Sequence, residues 1–61
     1  MKDKNKLIII ADDDVDYLFQ MEHYIKSFGF EVVVAHSQKE AEVIIENTKP
    51  DLAIFDLMME N

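Results

Sequence analysis

Aspartates cluster directly behind an aliphatic run near the start of the sequence. The stretch IIIADDDVDYLF contains Asp12, Asp13, Asp14 and Asp16. A further aspartate, Asp56, closes a second aliphatic run, LAIF. Most acidic clusters are solvated turns between two elements. The alternative is a site that binds a cation.

The elements that would carry these aspartates can be predicted from hydrophobic patterning. Continuous aliphatic runs predict strands covered on both faces at about residues 6–11, 31–35 and 51–55. Apolar residues at helical spacing predict helices at about residues 15–28 and 38–48. The first helical stripe consists of Val15, Leu18, Phe19, Met21, Ile25 and Phe28.

Cap signals support both predicted helices. Gly29 stands where a left-handed C-terminal cap is expected after the first helix. Ser37 and Glu40 match a capping box at the start of the second helix. Pro50 then separates that helix from the third strand.

The order strand, helix, strand, helix, strand predicts a single α/β domain. Such alternation implies right-handed crossovers and a parallel sheet. With the strands in the order 2-1-3, the two helices would cover opposite faces. A ligand crevice would then open at the carboxyl ends of the first and third strands.

This geometry would bring Asp12 and Asp13 from one strand close to Asp56 from the other. Like charges at such short range oppose folding unless a cation neutralises them. Mg²⁺ fits best, because it binds one or two carboxylates and keeps water or phosphate oxygens as its other ligands. A lone carboxylate beside that metal is suited to accept a phosphoryl group.

Size, composition and charge restrict the possible functions. The chain has 61 residues and no cysteine, so disulfides cannot stabilise it. The net charge of −7, from 6 basic and 13 acidic residues, argues against nucleic acid as a partner. The longest apolar run, Leu7–Ala11, is far shorter than the roughly 20 residues that span a bilayer. We therefore expect a cytoplasmic protein that does not enter the membrane.

The acidic stretch is also compatible in part with two other kinds of carboxylate site. Asp12, Asp14 and Asp16 could begin a calcium loop, but Tyr17 and His23 occupy the positions that require Gly and Glu. Asp12 and Asp14 could instead be the nucleophile and acid of a phosphohydrolase. That interpretation leaves Asp56 without a role.

The motifs IIIADDD, GFEVVVAHS and KPDLAIFDLMM together resemble the receiver domain of two-component response regulators. The resemblance runs from about Lys6 to Asn61 and implies the flavodoxin-like fold of that family. It also implies a signalling module rather than an enzyme.

The resemblance further implies a role for each matching acidic residue. Asp56 would accept a phosphoryl group from a sensor histidine kinase or a phosphotransfer protein. Mg²⁺ would be bound by Asp12, Asp13, Asp56 and the backbone carbonyl of Met58, with Asp12 more often acting through water.

The sequence departs from the family pattern in two ways. Glu60 stands where proline is common, and a complete receiver has more strands than these residues supply. We therefore expect the N-terminal half of a receiver, with an open apolar edge at the third strand. That edge predicts self-association, through the strand or by exchange of elements. The alternative function is a non-enzymatic, self-associating structural fragment.

Overall fold

The computed structural model describes residues 6–56. The elements in chain order are β1 (Leu7–Ala11), α1 (Val15–Lys26), β2 (Glu31–Ala35), α2 (Gln38–Thr48) and β3 (Leu52–Phe55). The strands form one parallel sheet in the order β2-β1-β3. The predicted α/β fold class and strand order are thus confirmed. Neither helix in this part of the chain is long and apolar enough to cross a membrane.

Strand β1 is the centre of the sheet and of the core. Ile9 and Ile10 are 0% exposed, because β1 has a neighbouring strand on each side and a helix over each face. In the register, Ile10 lies opposite Val34 of β2 and Ile54 of β3. A continuous aliphatic run is what such a doubly covered strand requires.

The two helices cover opposite faces of the sheet, as predicted. Because side chains alternate along a strand, β1 contributes to a separate apolar cluster on each face. The cluster under α1 contains Ile8, Ile10, Leu18 and Ile25. The cluster under α2 contains Ile9, Ala11, Ala35 and Ala41.

Strand β3 is less covered than its sequence predicts. Both helices pack over β1 and β2, and neither packs over β3. Leu52 and Ala53 are exposed as a result, while Ile54 is only partly buried. The prediction that all strands are doubly covered is therefore wrong for β3.

Residues far apart in the chain secure the start of β3. The Leu7 N–H donates to a carboxylate oxygen of Asp51 at 2.8 Å, and the Asp51 N–H donates to the Leu7 carbonyl at 2.8 Å. This reciprocal pair joins residues 44 positions apart. It holds the start of β3, which is the end of the strand away from Asp56.

Helix α1 is shorter and less buried than predicted. It ends at Lys26 with Ser27 as its cap residue, and Gly29 follows with a φ of 95°. The predicted apolar stripe is only partly buried. Val15, Phe19 and Phe28 are exposed.

The start of α2 differs in one detail from a capping box. The Ser37 hydroxyl accepts the Glu40 N–H at 3.1 Å, as predicted. The Glu40 carboxylate, however, accepts the N–H of His36 at 2.6 Å, one residue before the cap. That backbone hydrogen bond, with His36 side-chain interactions, lowers the pKa of Glu40.

Two helix ends use left-handed backbone, with opposite consequences for substitution. Gly29→Ala is expected to lower the free energy of unfolding by about 1 kcal/mol, because an L side chain is strained at positive φ. The cost is purely conformational, since an added Cβ at Gly29 would meet no atom within 4 Å. Urea unfolding followed by circular dichroism measures it.

Lys49 provides the matched comparison, because this non-glycine residue has a φ of 53°. Lys49→Gly is expected to raise the free energy of unfolding by about 0.5 kcal/mol. Glycine relieves the strain of positive φ, but part of this gain is offset because glycine loses more backbone entropy on folding. Equal effects of the same sign at both positions would contradict this account.

Candidate functional site

Backbone hydrogen bonds place two acidic residues side by side at the carboxyl edge of the sheet. The Asp12 N–H donates to the Ala35 carbonyl and the Asp56 N–H to the Ala11 carbonyl, each at 3.1 Å. These bonds extend the strand ladders by one residue beyond β1 and β3. Asp12 and Asp56 are therefore positioned by the sheet itself.

The predicted acidic residues Asp12, Asp13 and Asp56 come together. One carboxylate oxygen of each lies within 4.8 Å of the others. Asp12 is 7% exposed, Asp56 is half-buried and Asp13 is exposed. The cluster therefore has a buried base and an open side.

The remaining aspartates of the opening motif serve the helix instead. Asp14 is the N-cap of α1, and its Oδ1 accepts the Tyr17 N–H at 3.1 Å. Asp16 lies in the first turn, where the positive end of the helix dipole favours a carboxylate. Because Asp14 caps the helix, the calcium-loop interpretation loses one of its ligands. The phosphohydrolase interpretation loses its acid for the same reason.

Asp12 is oriented by this same turn. Its Oδ1 accepts the Asp14 N–H at 2.9 Å. A carboxylate held through one oxygen keeps its other oxygen available in a defined direction. The turn that leads into α1 thus orients the carboxylate of Asp12, the buried residue of the cluster.

A cleft of about 410 Å³ adjoins the carboxylates. Its lining residues are Ile10, Ala11, Asp12, Tyr17, Ile54, Phe55 and Asp56. This volume leaves room for water or a phosphoryl group beside the acidic groups. Sequence reasoning assigned Tyr17 only to a position on an amphipathic helix, because its spacing of four residues from Met21 indicates a helix face and not a cleft.

The donor set fits Mg²⁺. All the clustered side chains offer carboxylate oxygens, and the open side would let the ion keep several waters, as Mg²⁺ prefers. Asp12, Asp13 and Asp56 would hold it. The predicted ligand at Met58 lies outside the described residues.

A parallel α/β sheet with an acidic crevice beyond β1 and β3 is the arrangement that the sequence motifs predict for a receiver domain. The family model for the response regulator receiver domain matches residues 8–61. The chain belongs to this family, and the resemblance seen in its motifs is confirmed. Receiver domains are signalling modules of two-component systems.

Curated relatives agree with the family match. The chain is 31% identical over 55 residues to the alkaline phosphatase synthesis transcriptional regulatory protein PhoP of Bacillus subtilis, covering 90% of this chain and 23% of that protein. It is 32% identical over 59 residues to the probable transcriptional regulator ycf27 of Cyanophora paradoxa, covering 97% of this chain and 25% of the relative.

A ycf27 protein of Porphyra purpurea is 29% identical over 59 residues, covering 97% of this chain and 24% of the relative. The chain thus spans about a quarter of the length of these relatives. No solved structure matches it.

Mg²⁺ is expected to stabilise the folded chain, because it neutralises carboxylates that otherwise repel one another. Asp13→Asn should weaken Mg²⁺ binding by about tenfold or more, since it removes a full charge from the cluster that would hold the ion. Thermal unfolding at increasing Mg²⁺ concentrations measures the effect.

Asp16→Asn is the matched control, because it makes the same change in charge on a residue outside the cluster. It should leave the Mg²⁺ response intact. If both variants lost the stabilisation by Mg²⁺ equally, that stabilisation would depend only on the overall charge of the chain.

Proposed function

We propose that Asp56 accepts a phosphoryl group in a Mg²⁺-dependent reaction, and that the donor is a sensor histidine kinase or a phosphotransfer protein. The observation that carries this proposal is the convergence of Asp12, Asp13 and Asp56 within 4.8 Å at a cleft. Membership of the receiver family supports the same function.

The acidic residues would divide two tasks in this reaction. Asp56 would supply the attacking oxygen, and its ladder bond to Ala11 fixes the backbone that carries this side chain. Asp12 and Asp13, together with Asp56, would hold the metal, and the bond from the Asp14 N–H orients the Asp12 carboxylate. Bound Mg²⁺ would neutralise the charge of both the carboxylates and the incoming phosphate.

The consequence of phosphorylation would be regulatory. The relatives named above are described as transcriptional regulators and extend well beyond the matched region. We propose that the phosphorylation state of Asp56 is the signal that such a two-component system transmits.

Incubation with Mg²⁺ and acetyl phosphate is expected to add one phosphoryl group to the chain. Intact-mass measurement detects the increment, which should be absent from Asp56→Asn and when Mg²⁺ is chelated. Alkaline hydroxylamine should remove it, because acyl phosphates are cleaved by that nucleophile.

Asp51→Asn serves as a further comparison, because Asp51 also borders β3 but bonds to Leu7 at the far end of the strand. It should still be phosphorylated. An unchanged mass in a parent chain that circular dichroism shows to be folded would overturn the proposal.

The β3 edge supports a second candidate, self-association of two copies. Within residues 6–56, β3 pairs only with β1, and neither helix covers it. Leu52 is 53% exposed on this strand. Unpaired strand groups beside exposed apolar side chains favour pairing with another chain.

Leu52→Lys is expected to abolish such association, because an edge lysine opposes strand pairing. Sedimentation velocity over a concentration series measures it. Val43→Lys is the matched control, since Val43 is 54% exposed but lies on α2. A parent chain that remains monomeric at every concentration would exclude this candidate.

A further inference from the structure

The cleft beside the acidic cluster has an apolar and aromatic side that the metal site does not use. Tyr17, Ile10 and Ile54 line it together with Asp12 and Asp56. Ile10 belongs to the apolar cluster under α1, and the partly buried Ile54 packs against that cluster from β3. An aromatic group therefore stands next to carboxylates in one cleft.

Local structure fixes the position of Tyr17. Its N–H bonds to the N-cap Asp14, which holds it in the first turn of α1. It lies on the same helical stripe as Met21 and the buried Ile25, because residues four apart share a face. Tyr17 is 41% exposed and lines the cleft, so it is accessible to a molecule bound there.

We propose that Tyr17 binds the leaving ring of the phosphodonor and thereby selects an N-phosphorylated imidazole as substrate. This inference rests on the proposed function of Asp56 as phosphoryl acceptor. Tyr17 would be a specificity residue that touches the departing group, whereas Asp12 and Asp13 serve the metal.

The transfer balances with such a donor. An oxygen of Asp56 forms a bond to phosphorus while the bond from phosphorus to the ring nitrogen breaks. The electron pair of the broken bond leaves with the ring. Because a ring protonated on its second nitrogen carries a positive charge before transfer, it departs as neutral imidazole without any external acid.

The chemistry of the cleft favours this ring over other leaving groups. A planar cation is attracted to the negative face of an aromatic ring. An acyl phosphate instead releases an anionic carboxylate, which that face does not attract. Tyr17 should thus matter for one donor class and not for the other.

The experiment compares rates of Asp56 phosphorylation from phosphoimidazole and from acetyl phosphate, both with Mg²⁺. Tyr17→Leu is expected to lower the rate of phosphorylation from phosphoimidazole by roughly three- to fivefold, because it removes one exposed cation–π contact. The acetyl phosphate rate should stay within about twofold, which also shows that the variant is folded.

Two controls identify the feature responsible. Tyr17→Phe keeps the ring and should preserve the phosphoimidazole rate. Tyr24→Leu removes a tyrosine from the same helix that does not line the cleft, and should leave both rates unchanged.

The outcomes separate this inference from the function on which it rests. Equal losses with both donors in Tyr17→Leu, or no loss with either, would overturn the role of Tyr17 while leaving Asp56 as the acceptor. No phosphorylation of the folded parent chain by either donor would overturn both proposals.

Discussion

Parallel pairing of β1 with a strand on each side is the constraint on which the rest of the structure depends. It buries Ile9 and Ile10 completely and supplies most of a small core. The same pairing brings the carboxyl ends of β1 and β3 to one edge, where ladder bonds place Asp12 beside Asp56. Core and site are therefore a single arrangement, and a change that loosens β1 would disturb both.

The acidic cluster opposes the stability that this arrangement provides. Three carboxylates lie close together in a chain whose net charge, with these residues included, is −7. Groups held in repulsive proximity are typical of sites arranged for a ligand, since folding alone does not favour them. The turn into α1 limits the cost, because it uses Asp14 as a helix cap and satisfies one oxygen of Asp12.

Much of the fold and the site could be predicted from the sequence. Aliphatic runs and helical spacing indicate the element order, and aspartates placed directly after two runs indicate which carboxylates converge. The covering of β3 and the exposure of Phe19 could not be predicted, because periodicity identifies an apolar face but not its neighbour. Tyr17 was missed for a related reason: its spacing places it on the core stripe, and only the three-dimensional arrangement shows that the stripe ends at a cleft.

The reciprocal bonds between Leu7 and Asp51 have a consequence for the order of folding. They close a loop of 44 residues, whereas β1 and β2 are joined across a single helical crossover. Because closing a longer loop costs more entropy, the unit of β1, α1 and β2 should form first and β3 should dock afterwards. Asp56 would then meet Asp12 and Asp13 only in the final step, so the nascent core forms before it encounters the full repulsion of the assembled cluster.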